Sequence, residues 1–370
     1  MKIRKLAITN FRRFSNTVEI DFTDVFDQPQ DLILIAGPNS SGKTTILDAI
    51  AMALESASGW NCTRDDLPVS PRYVVRSGKP RATVSMELQF SQAELDATNE
   101  LITLAGKSWE HPTDTNLEIT WEYPDPLGEF PRGRCQYSPA NGRALLQGRK
   151  LALELSKTKV VPIERCREVG ATFTFDQQRS SIKRRISKAL QEVIRPEMPD
   201  GGSDETKAAQ EILLQMAIKA GGVRRPDAGE SHFEEVRRRF HQLCRPKRIL
   251  DYVADDNSED VDVPFTDGRS EFNYFGLSSG EQMILSYLLG FVDRRIARSV
   301  VLIDELELHL HPIWQQSVLY ALRQIGDDNQ LIVTTHSPHL RDIAPTGSVY
   351  LLGDLDANPT EPTSQEVVHA

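Results

Sequence analysis

The run LILIAGPNSSGKTTILDAIAMALESAS, residues 32–58, constrains the fold more than any other stretch of the chain. Leu32 to Ala36 is apolar on consecutive positions, and a strand with no polar face suits a sheet covered on both sides. It passes directly into Gly37, Pro38, Asn39, Ser40, Ser41, Gly42, Lys43, Thr44 and Thr45, which fit the spacing G-x-x-x-x-G-K-[ST]. Ile46, Ala49, Ile50 and Leu54 then continue at helical spacing. The glycines let backbone N–H groups turn inward around phosphate oxygens, and the helix N-terminus adds a fixed partial positive charge. Lys43 adds a full one, and the Thr44 hydroxyl suits Mg²⁺. A glycine turn that only joins strand to helix is the plainer reading. The strand before it and the helix after it make that the weaker one.

Two later strands end in the same way. VVLIDE places Asp304 and Glu305 at the C-terminal end of a buried strand, where open α/β sheets put their ligands. Asp304 is suited to hold Mg²⁺ and Glu305 to polarise an attacking water. LIVTTHSPHL ends an apolar strand in Thr334, Thr335, His336 and Ser337, and a histidine there reaches a terminal phosphate. A further feature stands between them and the first loop. LSSGEQ, residues 277–282, opens a long apolar helix. Ser278, Ser279, Gly280, Glu281 and Gln282 offer a hydroxyl and exposed N–H groups at a helix N-terminus, a second anion site. A plain N-cap with Glu281 in the first turn accounts equally well for the same residues, and the accompanying motifs decide between the two.

Taken in order, residues 37–44, 277–282, 304–305 and His336 make the chain resemble the ABC-type ATPases. DELELHLHP, TTHSPHL and the opening LAITNFRRF make it similar to the RecF, SMC and OLD-like branch. The resemblance covers about residues 1–56 and 270–352. It implies ATP as substrate and Mg²⁺ as cofactor, with Thr44 and Asp304 holding the metal, Glu305 activating water and His336 sensing the γ-phosphate. Arg12 and Arg13 approach the nucleotide by the same analogy. In that family the signature residues cap the γ-phosphate held by a second copy, so a head-to-tail dimer at least is implied. Leu306 stands where many relatives carry proline. The Q-loop glutamine is unassigned: KVVPIERCRE lacks it, and Gln89 and Gln136 are alternatives.

The remaining organisation follows from periodicity. TVSMELQF and LEITWEY alternate with period two and read as half-buried antiparallel strands of a side sheet. Ile3–Thr9 and Val18–Phe22 are further strands. Buried strands alternating with helices predict an α/β P-loop NTPase with an ABC ATPase-type mixed sheet, an antiparallel side sheet and a helical insertion. The divisions are an N-terminal lobe over 1–175, the insertion over 176–250, a C-terminal lobe over 251–355 and a loose tail over 356–370.

A formal charge of −10 excludes a globally basic nucleic-acid binder, so any DNA contact needs a local patch. Lys183, Arg184 and Arg185, with Arg237, Arg238 and Arg239, are the candidates. FEEVRRRF equally allows pairing with neighbouring glutamates. Four dispersed cysteines and no apolar leader or span fit a cytoplasmic chain without membrane attachment. No second acidic cluster marks a nuclease, so the resemblance implies a separate effector protein, in DNA maintenance or antiphage defence. A DNA-independent scaffold that sequesters a toxin or nuclease is the first alternative. A transporter ATPase subunit is the second, disfavoured by DELELHLHP and by the long interval between the loop and the signature.

Overall fold

The computed structural model describes residues 1–58, 73–124, 133–155, 163–165, 231–251, 253–254, 261–293, 296–326, 328–345, 347–353 and 368–369. In chain order the strands are β1 Lys2–Thr9, β2 Val18–Asp21, β3 Leu32–Ala36, β4 Arg81–Gln89, β5 Asn116–Pro124, β6 Arg134–Ser138 and β7 Ile163–Arg165. Short strands follow: β8 Arg248–Ile249, β9 Val253–Ala254, β10 Val261–Asp262, β11 Phe265–Thr266 and β12 Glu271–Phe272. The last are β13 Val300–Ile303, β14 Gln330–Thr335, β15 Val349–Leu351 and β16 Val368–His369. Helices are α1 Lys43–Ser58, α2 Gln92–Leu104, α3 Arg143–Leu155, α4 His232–Leu243, α5 Ser279–Asp293, α6 Pro312–Arg323 and α7 Pro338–Ile343.

The central sheet has the order β16-β15-β3-β14-β13-β7, parallel from β15 through β7. Its middle strands have no polar face because both faces are covered. On β3, Ile33 and Ile35 join one apolar core while Leu32, Leu34 and Ala36 join another. Val300 and Leu302 of β13 likewise face the first core, and Val301 and Ile303 the second. The alternation that a strand imposes on its side chains therefore serves two cores at once.

The first core is closed by the side sheet β2-β1-β4-β5-β6, antiparallel throughout. Val84, Met86 and Leu88 of β4 and Leu117, Ile119 and Trp121 of β5 point inward, as their period predicts. Helix α1 lies in this core with both sheets. Its Ala49, Ala51, Ala53 and Ala57 are fully buried, and such small side chains let a helix pack closely on its neighbours. The second core is built with α4, α5 and α6. The mixed sheet and the side sheet thus stand as expected.

Several expectations change. Helices α2 and α3 were not legible as helices, although Ser91 and Glu94 form a reciprocal capping box at the start of α2. Of the segment read as a helical insertion, residues 176–230 lie outside the described residues, while α4 is a helix. In the segment read as a loose tail, Val368 and His369 pair antiparallel with Leu351 and Tyr350. The pairing uses the open edge of β15 and its backbone hydrogen-bonding groups.

A buried ion pair ties the side-sheet helices to the approach of β13. Arg149 on α3 donates to Glu94 on α2 at 3.3 Å, to the Arg298 carbonyl at 2.9 Å and to the Ser299 hydroxyl at 2.8 Å. Burial holds the Arg149 guanidinium below its usual range, with Glu94 opposing that shift. Glu94 also accepts from the buried Met1 ammonium at 2.9 Å, so losing Arg149 removes one of its two cations together with the bonds to Arg298 and Ser299. Arg149→Leu should therefore lose about 3 kcal/mol of stability in a urea titration, and a loss under about 1 kcal/mol would show that the pair is dispensable.

Candidate functional site

The C-terminal ends of β3, β13 and β14 converge on one cleft. β3 ends at Ala36, and residues 37–42 form the loop that leads into α1 at Lys43. Ser40 and Gly42 sit at φ 67° and 99°, the left-handed region that turns a loop tightly and that Gly42 adopts without steric cost. Gly37 has no room for a side chain: a Cβ there would lie 2.7 Å from the Leu352 carbonyl oxygen and 2.8 Å from Ser41 Oγ. Lys43 folds back over the loop and donates to the Gly37 and Pro38 carbonyls at 2.9 and 2.8 Å. Burial holds its ammonium below the ordinary lysine range, while Glu305, Asp304 and Glu307 pull the other way.

Asp304 is held by two hydroxyls from separate elements. Thr44 Oγ1 donates to its two oxygens at 3.1 and 3.0 Å, and Thr334 Oγ1 donates to Oδ1 at 2.6 Å. The same Thr334 oxygen accepts from the Glu305 backbone N–H at 2.9 Å. Glu305 has φ 51°, and its Oε1 lies 3.7 Å from His336 Nε2. On its other side, His336 Nδ1 is 3.5 Å from Lys43 Nζ. Lys43, Thr44, Asp304, Glu305 and His336, taken from three separate stretches of sequence, thus occupy one site.

The donor set fits a triphosphate and its metal. The first N–H groups of α1 have no partner within the helix, Lys43 is a cation among them, and Ser41 Oγ is a buried hydroxyl with no hydrogen bond to protein. Thr44 and Asp304 supply adjacent oxygens of the kind Mg²⁺ takes. Arg13 reaches this loop, donating to the Ser40 carbonyl at 2.8 Å. Arg12, at φ 51°, pairs instead with the buried Asp48 of α1 at 2.5 Å.

The signature residues divide into two groups. Ser278 and Glu281 form a capping box, in which the Ser278 N–H and hydroxyl donate to Glu281 Oε2 at 2.7 and 2.9 Å and the Glu281 N–H donates back to Ser278 Oγ at 3.4 Å. Glu281 is buried and also accepts from Lys247 at 2.7 Å. Gln282 Nε2 donates to the Leu277 carbonyl at 3.1 Å. Ser279 is exposed at the first position of α5. Gly280 lies against His309 and Trp314, where a Cβ would come within 2.8 Å of the His309 carbonyl oxygen. The plain N-cap therefore describes Ser278 and Glu281, while Ser279 is exposed at the tip and Gly280 is buried beside it.

Two of the expected DNA contacts are engaged inside the chain. Arg239 is 8% exposed and pairs with Glu235 at 2.9 Å. Arg237 pairs with Glu234 and Asp251 at 2.6 and 2.7 Å. The phosphate-contact expectation therefore does not carry to Arg239, because α4 turns that residue toward α6 and the Gln324 carbonyl. Arg238 is exposed. Lys183, Arg184 and Arg185 lie outside the described residues. Gln89 and Gln136 both sit on the side sheet, whereas the strand beside β13 is β7, within the stretch that lacks the glutamine.

Sequence reasoning missed Thr334 as the brace of Asp304, and Glu307, which accepts from the Thr335 hydroxyl and the His336 N–H. The third carboxylate of DELE was the available signal for Glu307.

Several known families and proteins are similar to this chain. Residues 1–129 match the AAA ATPase domain family, and residues 220–342 match the family described as AAA domain, putative AbiEii toxin, Type IV TA system. The Retron Vc95 probable ATPase of Vibrio cholerae is 20% identical over 96% of this chain and 74% of its own length. Septu protein PtuA of Bacillus thuringiensis is 34% identical over 27% of this chain and 28% of its own length. The OLD nuclease of Thermus scotoductus is 23% identical over 92% and 60%. The chain thus spans less than two thirds of the Septu and OLD relatives it matches. In fold, it resembles the crystal structure of an SMC head bound to the C-winged helix domain of ScpA, with a TM-score of 0.54 and 14% identity over 95% of this chain and 94% of that one. No helix among the described residues is long and apolar enough to cross a membrane. With the loop, the paired carboxylates and the strand-end histidine in one cleft, and with AAA ATPase domain matches at both ends of the chain, the protein resembles ATPases of the RecF, SMC and OLD-like type.

Proposed function

We propose that this chain hydrolyses ATP with Mg²⁺, that ATP closes two copies head to tail, and that this cycle drives a separate effector protein in antiphage defence or DNA maintenance. The observation that carries the reading is the convergence of Lys43, Thr44, Asp304, Glu305 and His336 at three neighbouring strand ends. Lys43 and the loop amides hold the β- and γ-phosphates. Mg²⁺, when bound by Thr44 and Asp304, neutralises charge on the phosphate oxygens. Glu305 orients the attacking water and takes its proton, and His336 contacts the γ-phosphate end.

Closure by a second copy is supported by what surrounds the signature tip. Phe275, Leu308 and Ile313 are exposed apolar residues at 40%, 39% and 71%. Phe275 lies just before the signature, Leu308 adjoins His309, and Ile313 adjoins Trp314, the two residues against Gly280. Apolar groups left in water beside an anion site suit a surface that another protein covers. In this arrangement Ser279 and Gly280 seal the γ-phosphate held by the partner, while Ser278 and Glu281 keep the helix start in shape. The retron and Septu relatives favour defence over DNA maintenance. A cytoplasmic setting fits the dispersed cysteines.

A role without DNA, holding an effector in check, is favoured by the pairing of Arg237 and Arg239 within the chain. Duplex DNA added to the purified protein should then leave hydrolysis unchanged. DNA-stimulated turnover with steep salt dependence would instead restore the DNA reading.

Glu305→Gln keeps the shape of the site and removes the base. The variant should bind ATP, lose about 10²–10⁴-fold in turnover and accumulate a dimer or larger assembly in light scattering. A size distribution unchanged by ATP would sink the closure model.

A further inference from the structure

Glu307 lies two residues beyond Glu305, in the turn that joins β13 to α6. Both of its carboxylate oxygens are in use. Oε2 accepts from the Thr335 hydroxyl at 2.8 Å, and Oε1 accepts from the His336 backbone N–H at 2.5 Å. The turn is itself closed by the Leu308 N–H on the Glu305 carbonyl and the Leu310 N–H on the Glu307 carbonyl, each at 3.0 Å. Glu305 and His309 adopt φ 51° and 62°, so two residues with side chains occupy the left-handed region, which costs energy and persists only where the surroundings enforce it.

A second brace runs in parallel. Gln315 on α6 is buried; its Nε2 donates to the Leu310 carbonyl at 3.1 Å, and its Oε1 accepts from the Ser337 hydroxyl at 2.6 Å. The chain at the end of β14 is therefore tied to the 305–310 turn and to α6 through the residues on either side of His336 in sequence. On its opposite flank the turn meets the signature: the His309 carbonyl oxygen and the Trp314 ring would lie 2.8 and 2.9 Å from a Cβ at Gly280. One turn thus touches the start of α5 and holds the backbone of the histidine that faces Lys43 and Glu305.

We infer that Glu307 is a positioning residue: it fixes His336 between Lys43 and Glu305 and ties that placement to the turn on which the signature helix rests. The inference builds on the ATPase reading above. Its physical basis is that a charged acceptor makes stronger hydrogen bonds than a neutral one, and here it spends both oxygens on the segment carrying His336. Without them, the ring loses its fixed distance from the other site groups.

The test is a cycle of Glu307→Ala, His336→Ala and the double variant, measured for ATP turnover, for binding of a fluorescent ATP analogue and for melting temperature. Glu307→Ala should lower kcat about 10²-fold, the scale on which an ångström of misplacement acts, with analogue affinity within about twofold of the parent protein. If Glu307 acts through His336, adding Glu307→Ala to His336→Ala should reduce turnover by no more than about a further twofold. Glu307→Gln keeps one neutral carbonyl for the His336 N–H and should turn ATP over at a rate between those of Glu307→Ala and the parent protein. If Glu307→Ala does not fold, Glu307→Asp serves in its place: it keeps the charge, is one methylene shorter, and should lower kcat without weakening analogue binding.

Losses that multiply in the double variant, or full activity in Glu307→Ala, would overturn the inference while leaving the ATPase reading intact. A parent protein that binds the analogue and never turns ATP over would overturn both.

Discussion

Asp304 is a carboxylate at the end of a strand buried on both faces, and two hydroxyls keep it there. Thr44 reaches it from the first turn of α1 and Thr334 from the neighbouring strand. Thr334 is fully buried, so its hydroxyl cannot exchange a protein partner for water without cost. These contacts fix the distance between the phosphate loop and the paired carboxylates, which are 260 residues apart in sequence. They can do so because β3, β14 and β13 are adjacent in one parallel sheet. A crossover topology that places strand ends side by side is what assembles the site, and the two apolar cores are what hold the strands in that order.

Much of this was legible in the sequence because it depends on near neighbours. LILIA, VVLI and LIV are apolar without interruption, and a run with no polar face implies burial on both sides of a sheet. The side sheet announces itself by period two at Val84, Met86 and Leu88. The phosphate loop, the carboxylate pair and the histidine each close such a strand, so their meeting in one cleft follows from the fold class.

What stayed hidden depends on partners distant in sequence. FEEVRRRF allows Arg239 to pair with Glu235, four residues away, but nothing in it marks Arg239 as the inward-facing arginine of the three. Its burial comes from the way α4 packs. Arg149 and Glu94 are 55 residues apart, and neither carries a local sign that its charge is buried. Glu307 looks like one more acid in an acidic loop until the segment after β14 is laid beside it. In the signature, by contrast, the local reading accounts for part of the motif: the capping box uses Ser278 and Glu281, which leaves Ser279 exposed at the helix start.

The central claim is that each ATP is gripped by the loop of one copy and sealed by the helix tip of another. Mixing two inactive proteins tests it directly. Lys43→Ala disables the loop and leaves the tip intact; Ser279→Arg blocks the tip and leaves the loop intact. A mixed pair contains one site with an unaltered loop facing an unaltered tip, so combining the two should restore ATP hydrolysis that neither shows alone. A mixture as inactive as its components, with mixed pairs present by native mass spectrometry, would contradict the account.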